Sequence, residues 1–404
     1  MHKQTYSMTF LILIMMLGTA FGQTSSTNLV ARINEGPCFS VEVADSFLFF
    51  GGINGLSMYN VSDPCNPTIV ANLPYEHQIN DIWIENEHLF LCGADSTLRI
   101  VEVVNSQTLV EITSINLGRR LNRVVIEDSF AYVVSGILSL GPAEGGLHQI
   151  DVNDITNPIE TQTYTLRYAA FDLAISMNYA YVATYRGMDS DGGLYIIDLN
   201  NSIVPDTTHT VGIFGIALEA NNAFVGQQGG FFIFDLSDPT NLAQVGDCHF
   251  GWDLHDIVID ENLAFLACER GGLKIVDIND VQNPSVVGDY SAGNNVRRVR
   301  TQEHYIFIAD SDSGLYIVQN NLLVSIDNDQ ALPESFKLQQ NYPNPFNPIT
   351  TISYELREHS NIRLTVFDIL GQKVMTLGDA TKPPGNYEVQ WNGMDQSGNQ
   401  VSTG

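Results

Sequence analysis

The chain of 404 residues is strongly acidic, with 46 Asp and Glu against 18 Lys and Arg and a formal net charge of −28. Its hydrophobic fraction of 44% can fill a core, which argues against a disordered chain. The charge argues against nucleic acid and anionic membranes as partners, because binding to either needs basic side chains that neutralise phosphate groups.

The N-terminus has the pattern of a secretory signal peptide. Lys3 gives a basic start, residues 8–17 (MTFLILIMML) are apolar, and small residues precede Gln23. The apolar run is shorter than the roughly 20 residues that a stable membrane span needs. We therefore predict that residues 1–22 are a signal peptide, that the protein is exported, and that no transmembrane span remains.

One sequence pattern recurs along residues 36–320. Each copy has an apolar strand, a short turn, an aromatic-rich strand and a third strand that often follows glycine and ends in Asp. The third strand begins at seven matched positions, which are Leu56, Leu98, Leu147, Leu194, Phe231, Leu273 and Leu315. A repeat of about 40–45 residues with four short strands is typical of a β-propeller blade. The sequence therefore predicts an all-β protein with a seven-bladed β-propeller over residues 28–325.

Residues 28–33 (NLVARI) precede the first full repeat and resemble the fourth strands at residues 68–73 and 285–290. We expect them to supply the outer strand of the last blade, which would leave the ring without a loose edge. Residues 322–326 are the alternative for the same place.

Two of the third strands carry a family resemblance. Residues 273–277 (LKIVD) and 194–198 (LYIID) resemble the bacterial LVIVD repeat, and the resemblance extends over residues 28–320. It implies a β-propeller at the cell surface or outside the cell. It implies little about function, because propellers serve many unrelated functions.

The amino-acid composition changes after the repeats. Residues 326–348 are rich in Pro and Asn and predict an extended linker. Strand patterns return in residues 349–404 and predict a small β-sandwich.

Three segments of this tail carry a second resemblance: residues 342–348 (YPNPFNP), 367–374 (FDILGQKV) and 385–391 (GNYEVQW). They resemble the C-terminal sorting domains of type IX secretion and the immunoglobulin-like domain of flagellar hook-capping proteins. The resemblance implies contact with the secretion machinery. Such domains continue with an aromatic strand and a basic strand, so we expect this Ig-like sandwich to be incomplete at its C-terminus.

Arginines collect where the chain enters the first strand of a repeat. These entries lie around one opening of a propeller, its mouth, where guanidinium groups suit carboxylate, sulfate or phosphate ligands. The predicted ligand-binding residues are Arg119, Arg120, Arg123, His255, Asp256, Arg297, Arg298 and Arg300.

A structural role is the alternative for several of these residues. The matched positions of the seven first strands carry both acids and arginines, which suggests a ring of salt bridges between blades. Around the ring they are Ser40, Asp81, Arg123, Asp172, Gly215, Asp256 and Arg298.

Two loops combine Asp with Gly. Their carboxylates are candidate ligands for Ca²⁺, the only cofactor that the sequence predicts. The candidate ligands are Asp189 and Asp191 in one loop and Asp310 and Asp312 in the other. Oxygen ligands at alternate positions suit Ca²⁺, but no Glu follows where an EF-hand requires one. The alternative is a pair of turns in which Asp bonds its own backbone.

No local motif for a catalytic nucleophile, a zinc protease or a phosphate loop is present. The pattern favours a non-enzymatic, secreted or cell-surface binding or scaffold protein whose mouth contacts a protein, a glycan or an anionic ligand. One alternative is a secreted hydrolase with acids at the mouth, where His255 and Asp256 could form an acid/base pair. The other is a structural component of the envelope.

Overall fold

The computed structural model describes the following residues: 11–16, 26–137, 144–185, 192–200, 212–239, 241–322, 337–344, 349–356, 360–368, 372–382 and 385–401. The chain forms two compact units. One is Ser26–Asn321, and the other is Leu322–Gly404 with Met1–Ser25. The described residues form strands and turns without a helix, as the repeat pattern predicted.

Seven antiparallel sheets make up the described part of the first unit. Strand β1 (Leu11–Met16) belongs to the second unit, and β2 (Thr27–Ile33) opens the first. Sheets 1 to 3 are β3 (Cys38–Ala44), β4 (Phe47–Gly52), β5 (Gly55–Asn60) and β6 (Thr68–Pro74); β7 (Ile79–Glu85), β8 (His88–Gly93), β9 (Thr97–Val104) and β10 (Thr108–Asn116); β11 (Leu121–Glu127), β12 (Phe130–Ser135), β13 (Gly145–Asp151) and β14 (Ile159–Leu166).

Sheets 4 to 7 repeat this order. They are β15 (Ala169–Ser176), β16 (Tyr179–Tyr185) and β17 (Gly192–Asp198); β18 (Ile216–Glu219), β19 (Asn222–Gln227), β20 (Gly230–Asp235) and β21 (Ala243–His249); β22 (Asp256–Asp260), β23 (Leu263–Ala267), β24 (Leu273–Asp277) and β25 (Ser285–Tyr290); β26 (Val296–Gln302), β27 (Tyr305–Asp310) and β28 (Gly314–Asn320).

Sheet 7 joins the two ends of the unit. Its order is β2-β28-β27-β26, and β2 runs antiparallel to β28 from Thr27 opposite Asn320 to Ile33 opposite Leu315. This pairing confirms the expectation that residues 28–33 complete the last repeat. It also gives β28 a partner along its outer side, so this edge is not left open.

The first strands of the seven sheets contact one another in a closed cycle, which runs β3, β7, β11, β15, β18, β22, β26 and back to β3. Second strands such as β8 are buried at nearly every position, because neighbouring sheets cover both of their faces. The fourth strand β14 is mostly exposed and lies on the outside. The core therefore lies between the sheets, and the first strands surround a common axis.

The described part of the second unit has two sheets of three strands and one buried apolar cluster. Its further strands are β29 (Lys337–Leu338), β30 (Thr350–Leu356), β31 (Ser360–Phe367), β32 (Lys373–Lys382) and β33 (Gly385–Trp391). The sheet orders are β29-β30-β33 and β1-β31-β32. Tyr354, Leu364 and Trp391 are among the buried side chains of the cluster.

Two segments of this unit differ from the sequence-based expectation. Residues 337–338, within the predicted linker, pair with Glu355 and Tyr354 of β30, through backbone bonds that need no alternating apolar pattern. Leu11–Met16, within the predicted signal peptide, pairs with β31 from Leu11 opposite Phe367 to Met16 opposite Ile362. In the uncleaved chain this apolar run thus occupies one edge of β31.

Removal of residues 1–22 should uncover that edge. Backbone amides of residues 362–367 that bond to β1 would then face water, so their hydrogen exchange should be faster in a chain that begins at Gln23 than in the full chain. Exchange in β30 is the internal control, since β29 and β33 remain. Equal exchange of β31 in both chains would contradict this pairing.

Candidate ligand site at the rim

Three aspartates on the first strands link neighbouring sheets. Asp81, Asp172 and Asp256 are 1%, 0% and 0% exposed. Each accepts a hydrogen bond of 3.0 Å from a backbone N–H on the first strand of the next sheet. The donors are Val124 for Asp81, Ile216 for Asp172 and Val299 for Asp256.

Three guanidinium groups lie between these carboxylates. Arg123 Nε lies 3.0 Å from Asp172 Oδ1, and its Nη1 lies 3.3 Å from Asp256 Oδ1 and 3.5 Å from Asp81 Oδ1. Arg298 Nε lies 3.5 Å from Asp81 Oδ1. Arg123 alone thus contacts the aspartates of three other sheets. The predicted salt bridges between sheets are present, but they converge on Arg123 and do not run around all seven sheets.

Arg300 adds two further ion pairs. It points to the same side of its strand as Arg298, because residues two apart on a strand share a face. Its Nη1 lies 3.1 Å from Asp256 Oδ2, and its Nε donates to Glu42 Oε2 at 2.8 Å. We call the buried ion-pair cluster the set of Glu42, Asp81, Arg123, Asp172, Asp256, Arg298 and Arg300. Four of the predicted ligand-binding residues belong to it: Arg123, Asp256, Arg298 and Arg300.

The cluster holds four carboxylates against three guanidinium groups, so one carboxylate lacks a full counter-charge. Burial raises the pKa of Asp172 to about 6, against the opposing charges of Arg123 and Arg298. Burial also acts to raise the pKa of Asp256, but Arg123 and Arg300 outweigh it and lower that pKa below its ordinary value. As the pH falls below about 6, the first proton taken up by the cluster is therefore best placed on Asp172.

A second layer of side chains precedes the cluster along each first strand. In sheets 1, 2, 3, 4 and 7 the first strand has a β-bulge, and the unpaired extra residue directly precedes the matched position. Bulges re-aim such side chains out of the ladder. These residues and their equivalents in sheets 5 and 6 are Phe39, Asn80, Asn122, Phe171, Phe214, His255 and Arg297. We call them the rim, together with Arg120, which contacts Asn80, and Tyr185, which packs on Phe214.

One part of the rim is aromatic. The Phe214 ring centroid lies 5.4 Å from that of Phe171, 4.4 Å from that of Tyr185 and 4.8 Å from that of His255. Phe171, Tyr185 and Phe214 are partly exposed. Burial lowers the pKa of His255 well below its ordinary value, with help from the charges of Arg297 and Arg298, so the imidazole is neutral.

The other part of the rim carries arginines with mostly neutral partners. Arg297 Nη1 lies 3.0 Å from His255 Nδ1, and its Nη2 lies 3.8 Å from Glu269 Oε1, at the limit of an ion pair. Arg120 Nη2 donates to Asn80 Oδ1 at 2.9 Å. Among the described residues, no carboxylate lies within 4 Å of the Arg120 guanidinium.

Burial acts on both arginines, and charge repulsion also acts on Arg297. Burial lowers the pKa of Arg120 and of Arg297. The charges of Arg298 and Arg120 lower the pKa of Arg297 further, against the carboxylates of Glu269 and Asp312. The two guanidinium groups therefore form a partly desolvated positive site with little counter-charge. An anion is the chemical group that such a site lacks.

Other predicted site residues lie outside this arrangement. Arg119 forms an exposed pair with Glu144 at 2.7 Å, at the edge of the rim. Asp310 is buried and accepts backbone N–H bonds from Asn295, Asp312 and Ser313 at 2.7–2.9 Å, which is the geometry of a turn. Asn295 Nδ2 lies 3.3 Å from Asp312 Oδ1.

Asp189 and Asp191, the other predicted Ca²⁺ ligands, lie outside the described residues. Within the described ranges, no three His, Cys, Asp or Glu side chains are placed to hold a metal ion.

Sequence reasoning found Arg120, His255 and Arg297 but missed the aromatic members of the rim. Phe39, Phe171 and Phe214 look like ordinary core residues of apolar strands. The signal that could have found them is their common position, since each directly precedes a matched position of the inner layer.

Comparisons with known protein families match segments in both parts of the chain. Residues 169–205, 215–249, 253–292 and 293–319 match the LVIVD repeat, and residues 340–392 match the secretion system C-terminal sorting domain. No curated protein sequence matches the chain.

Solved structures share the fold at low identity. A chain of the mitotic checkpoint complex matches with a TM-score of 0.58 and 12% identity, over 75% of this chain and 98% of that one. Sqt1 of Saccharomyces cerevisiae gives 0.56 and 10%, over 74% and 99%. The Pan2 WD40 domain of Neurospora crassa gives 0.55 and 12%, over 73% and 95%. These similarities establish the fold alone.

The chain is thus an exported all-β protein with a propeller-like fold. It carries LVIVD repeats within residues 169–319 and a secretion system C-terminal sorting domain within residues 340–392, and the sorting domain indicates export by type IX secretion to the cell surface or the extracellular space. None of the described residues belongs to a helix that could cross a lipid bilayer.

The two aspartates with opposite pKa shifts should respond differently to pH. The pKa of Asp172 is raised in the folded state, so its proton stabilises the fold. This stabilisation is complete below pH 3.8 and is lost as the pH rises through about 6. Wild type should therefore lose stability relative to Asp172→Asn over this window, by an amount on the order of 1–3 kcal/mol.

Asp256→Asn is the matched control for this prediction. Asp256 is ionised throughout the same window because its pKa is lowered, so the difference between wild type and Asp256→Asn should stay level. Urea unfolding at several pH values measures both differences. If the two differences in unfolding free energy changed with pH in the same way, the assignment of the proton to Asp172 would be wrong.

Proposed function

We propose that the seven sheets are the blades of a closed seven-bladed propeller, joined to an Ig-like sorting domain. The closed cycle of first strands and the pairing of β2 with β28 support the ring. Two sheets around one apolar cluster support the sandwich. The exported protein then presents a rigid propeller whose rim is available to a ligand.

We further propose that this propeller is a non-enzymatic binding protein that holds an anionic ligand at the rim. The observation that carries the proposal is the pair Arg120 and Arg297, whose nearest partners are an amide and a neutral imidazole. Removing a guanidinium from water costs free energy that neutral partners repay only in part. A ligand carboxylate or sulfate would supply the missing charge through charge-assisted hydrogen bonds.

The arginines of the buried ion-pair cluster differ from Arg120 and Arg297 in having carboxylate partners, which supports the rim as the ligand site. In the cluster Arg123 meets three carboxylates and Arg300 meets two, so neither needs an external anion. The ligand role of the predicted set therefore falls to Arg120, Arg297 and the neighbouring His255.

A hydrolase has less support. The aspartates that point toward the axis are fully buried and bound by backbone N–H groups and guanidiniums, which leaves them poorly placed to transfer protons to a substrate. A purely structural role in the envelope is the remaining alternative, and it predicts no ligand at the rim.

Thermal unfolding in sulfate, phosphate or acetate, each against chloride at equal ionic strength, tests the proposal. At least one of these anions should raise the melting temperature, because an anion present at 100 times its Kd and bound only to the folded state adds about 2.7 kcal/mol. Arg120→Gln and Arg297→Gln should each lose this rise.

Arg119→Gln is the control, since Arg119 is adjacent in sequence but exposed and paired with Glu144. It should keep the response of the wild type. Equal losses in all three variants, or no anion effect beyond that of chloride, would overturn binding at the rim.

A further inference from the structure

We infer that the ligand of the rim is a uronic acid unit of an acidic glycan, that is, a sugar ring with one carboxylate. This inference rests on the proposed function, because it names the ligand class of the same site. It follows from the way in which the aromatic and the cationic parts of the rim adjoin.

The two parts meet at His255. Its ring centroid lies 4.8 Å from that of Phe214, and its Nδ1 lies 3.0 Å from Arg297 Nη1. A ligand that occupies both parts therefore needs a flat apolar surface next to an anionic group. A bare inorganic anion would use only the arginines and leave the aromatic side chains without a role.

The aromatic part suits the face of a sugar. Phe171, Phe214 and Tyr185 are partly exposed and pack at tilted or edge-on angles between 51° and 63° around Phe214. An aromatic face carries partial negative charge, and the C–H bonds on one face of a pyranose carry partial positive charge, so the two attract. Burial also raises the pKa of Tyr185, so its hydroxyl remains a hydrogen-bond donor.

A neutral ring beside Arg297 suits a hydroxyl. Asn80 Oδ1 accepts from Gln78 Nε2 at 2.6 Å and from Arg120 Nη2 at 2.9 Å, which holds the guanidinium in place. The neutral His255 is a ring that can donate or accept. A planar aromatic acid has no hydroxyl for this ring, whereas a uronic acid carries several.

The charge of the whole chain limits how much glycan the site can hold. With a net charge of −28, the surface away from the rim repels a long polyanion. The rim therefore suits a chain end or a short acidic oligosaccharide.

Calorimetric titration of the wild-type chain with glucuronate, glucose, acetate and benzoate tests the inference. Glucuronate and glucose differ only in the carboxylate, and glucuronate and acetate differ only in the sugar ring. Glucuronate should bind at least roughly tenfold more tightly than each of the other three, since each lacks one set of contacts. This comparison needs no variant and so does not depend on folding.

Phe214→Leu adds a second readout, because leucine keeps the apolar character and removes the aromatic face. It should weaken glucuronate binding and leave any acetate binding unchanged, whereas Arg297→Gln should weaken both.

The possible outcomes separate the two proposals. Equal binding of acetate and glucuronate, or tighter binding of benzoate, would overturn the uronic acid while leaving an anion site at the rim. Binding of glucose as tight as that of glucuronate would overturn both. No binding by any of the four would overturn the uronic acid, and the thermal unfolding in sulfate and phosphate would then decide the anion site.

Discussion

The Arg123 guanidinium is the interaction on which the rest of the first unit depends. It belongs to sheet 3 and contacts aspartates of sheets 2, 4 and 6 within 3.5 Å. The contact with Asp256 joins residues 133 positions apart in the chain. A buried charge of this kind stabilises little in net terms, but removing one partner leaves the others uncompensated, which typically costs about 3–5 kcal/mol. The cluster therefore selects the arrangement in which all these sheets face one axis.

This cluster also explains why the rim can be a binding surface. Because Asp81, Asp172 and Asp256 use one oxygen each to hold the next first strand, the strands that carry the rim are fixed relative to one another. The bulge then places one extra side chain per strand above the fixed layer in most sheets. A site assembled on rigid strands needs little reorganisation when a ligand binds, which favours affinity.

Much of the fold could be predicted from the sequence, since one sequence pattern occurs seven times at the spacing of a propeller blade. The mixture of Asp and Arg at one matched position also predicted the salt bridges. The aromatic part of the rim could not be predicted in the same way, because the alternation of a strand does not reveal an inserted residue such as Phe171. The pairing of Leu11–Met16 with β31 was equally hidden, since the apolar run has the pattern of an export signal.

A double-mutant cycle on Arg123→Met and Asp256→Asn tests the central claim most directly, because this pair spans the axis between sheets 3 and 6. Urea unfolding of the wild type, both single variants and the double variant yields their coupling free energy. The account predicts a coupling of about 0.5–3 kcal/mol, the range for residues in one network. Strictly additive losses would contradict it, since they would mean that the charges of Arg123 and Asp256 do not interact between sheets 3 and 6.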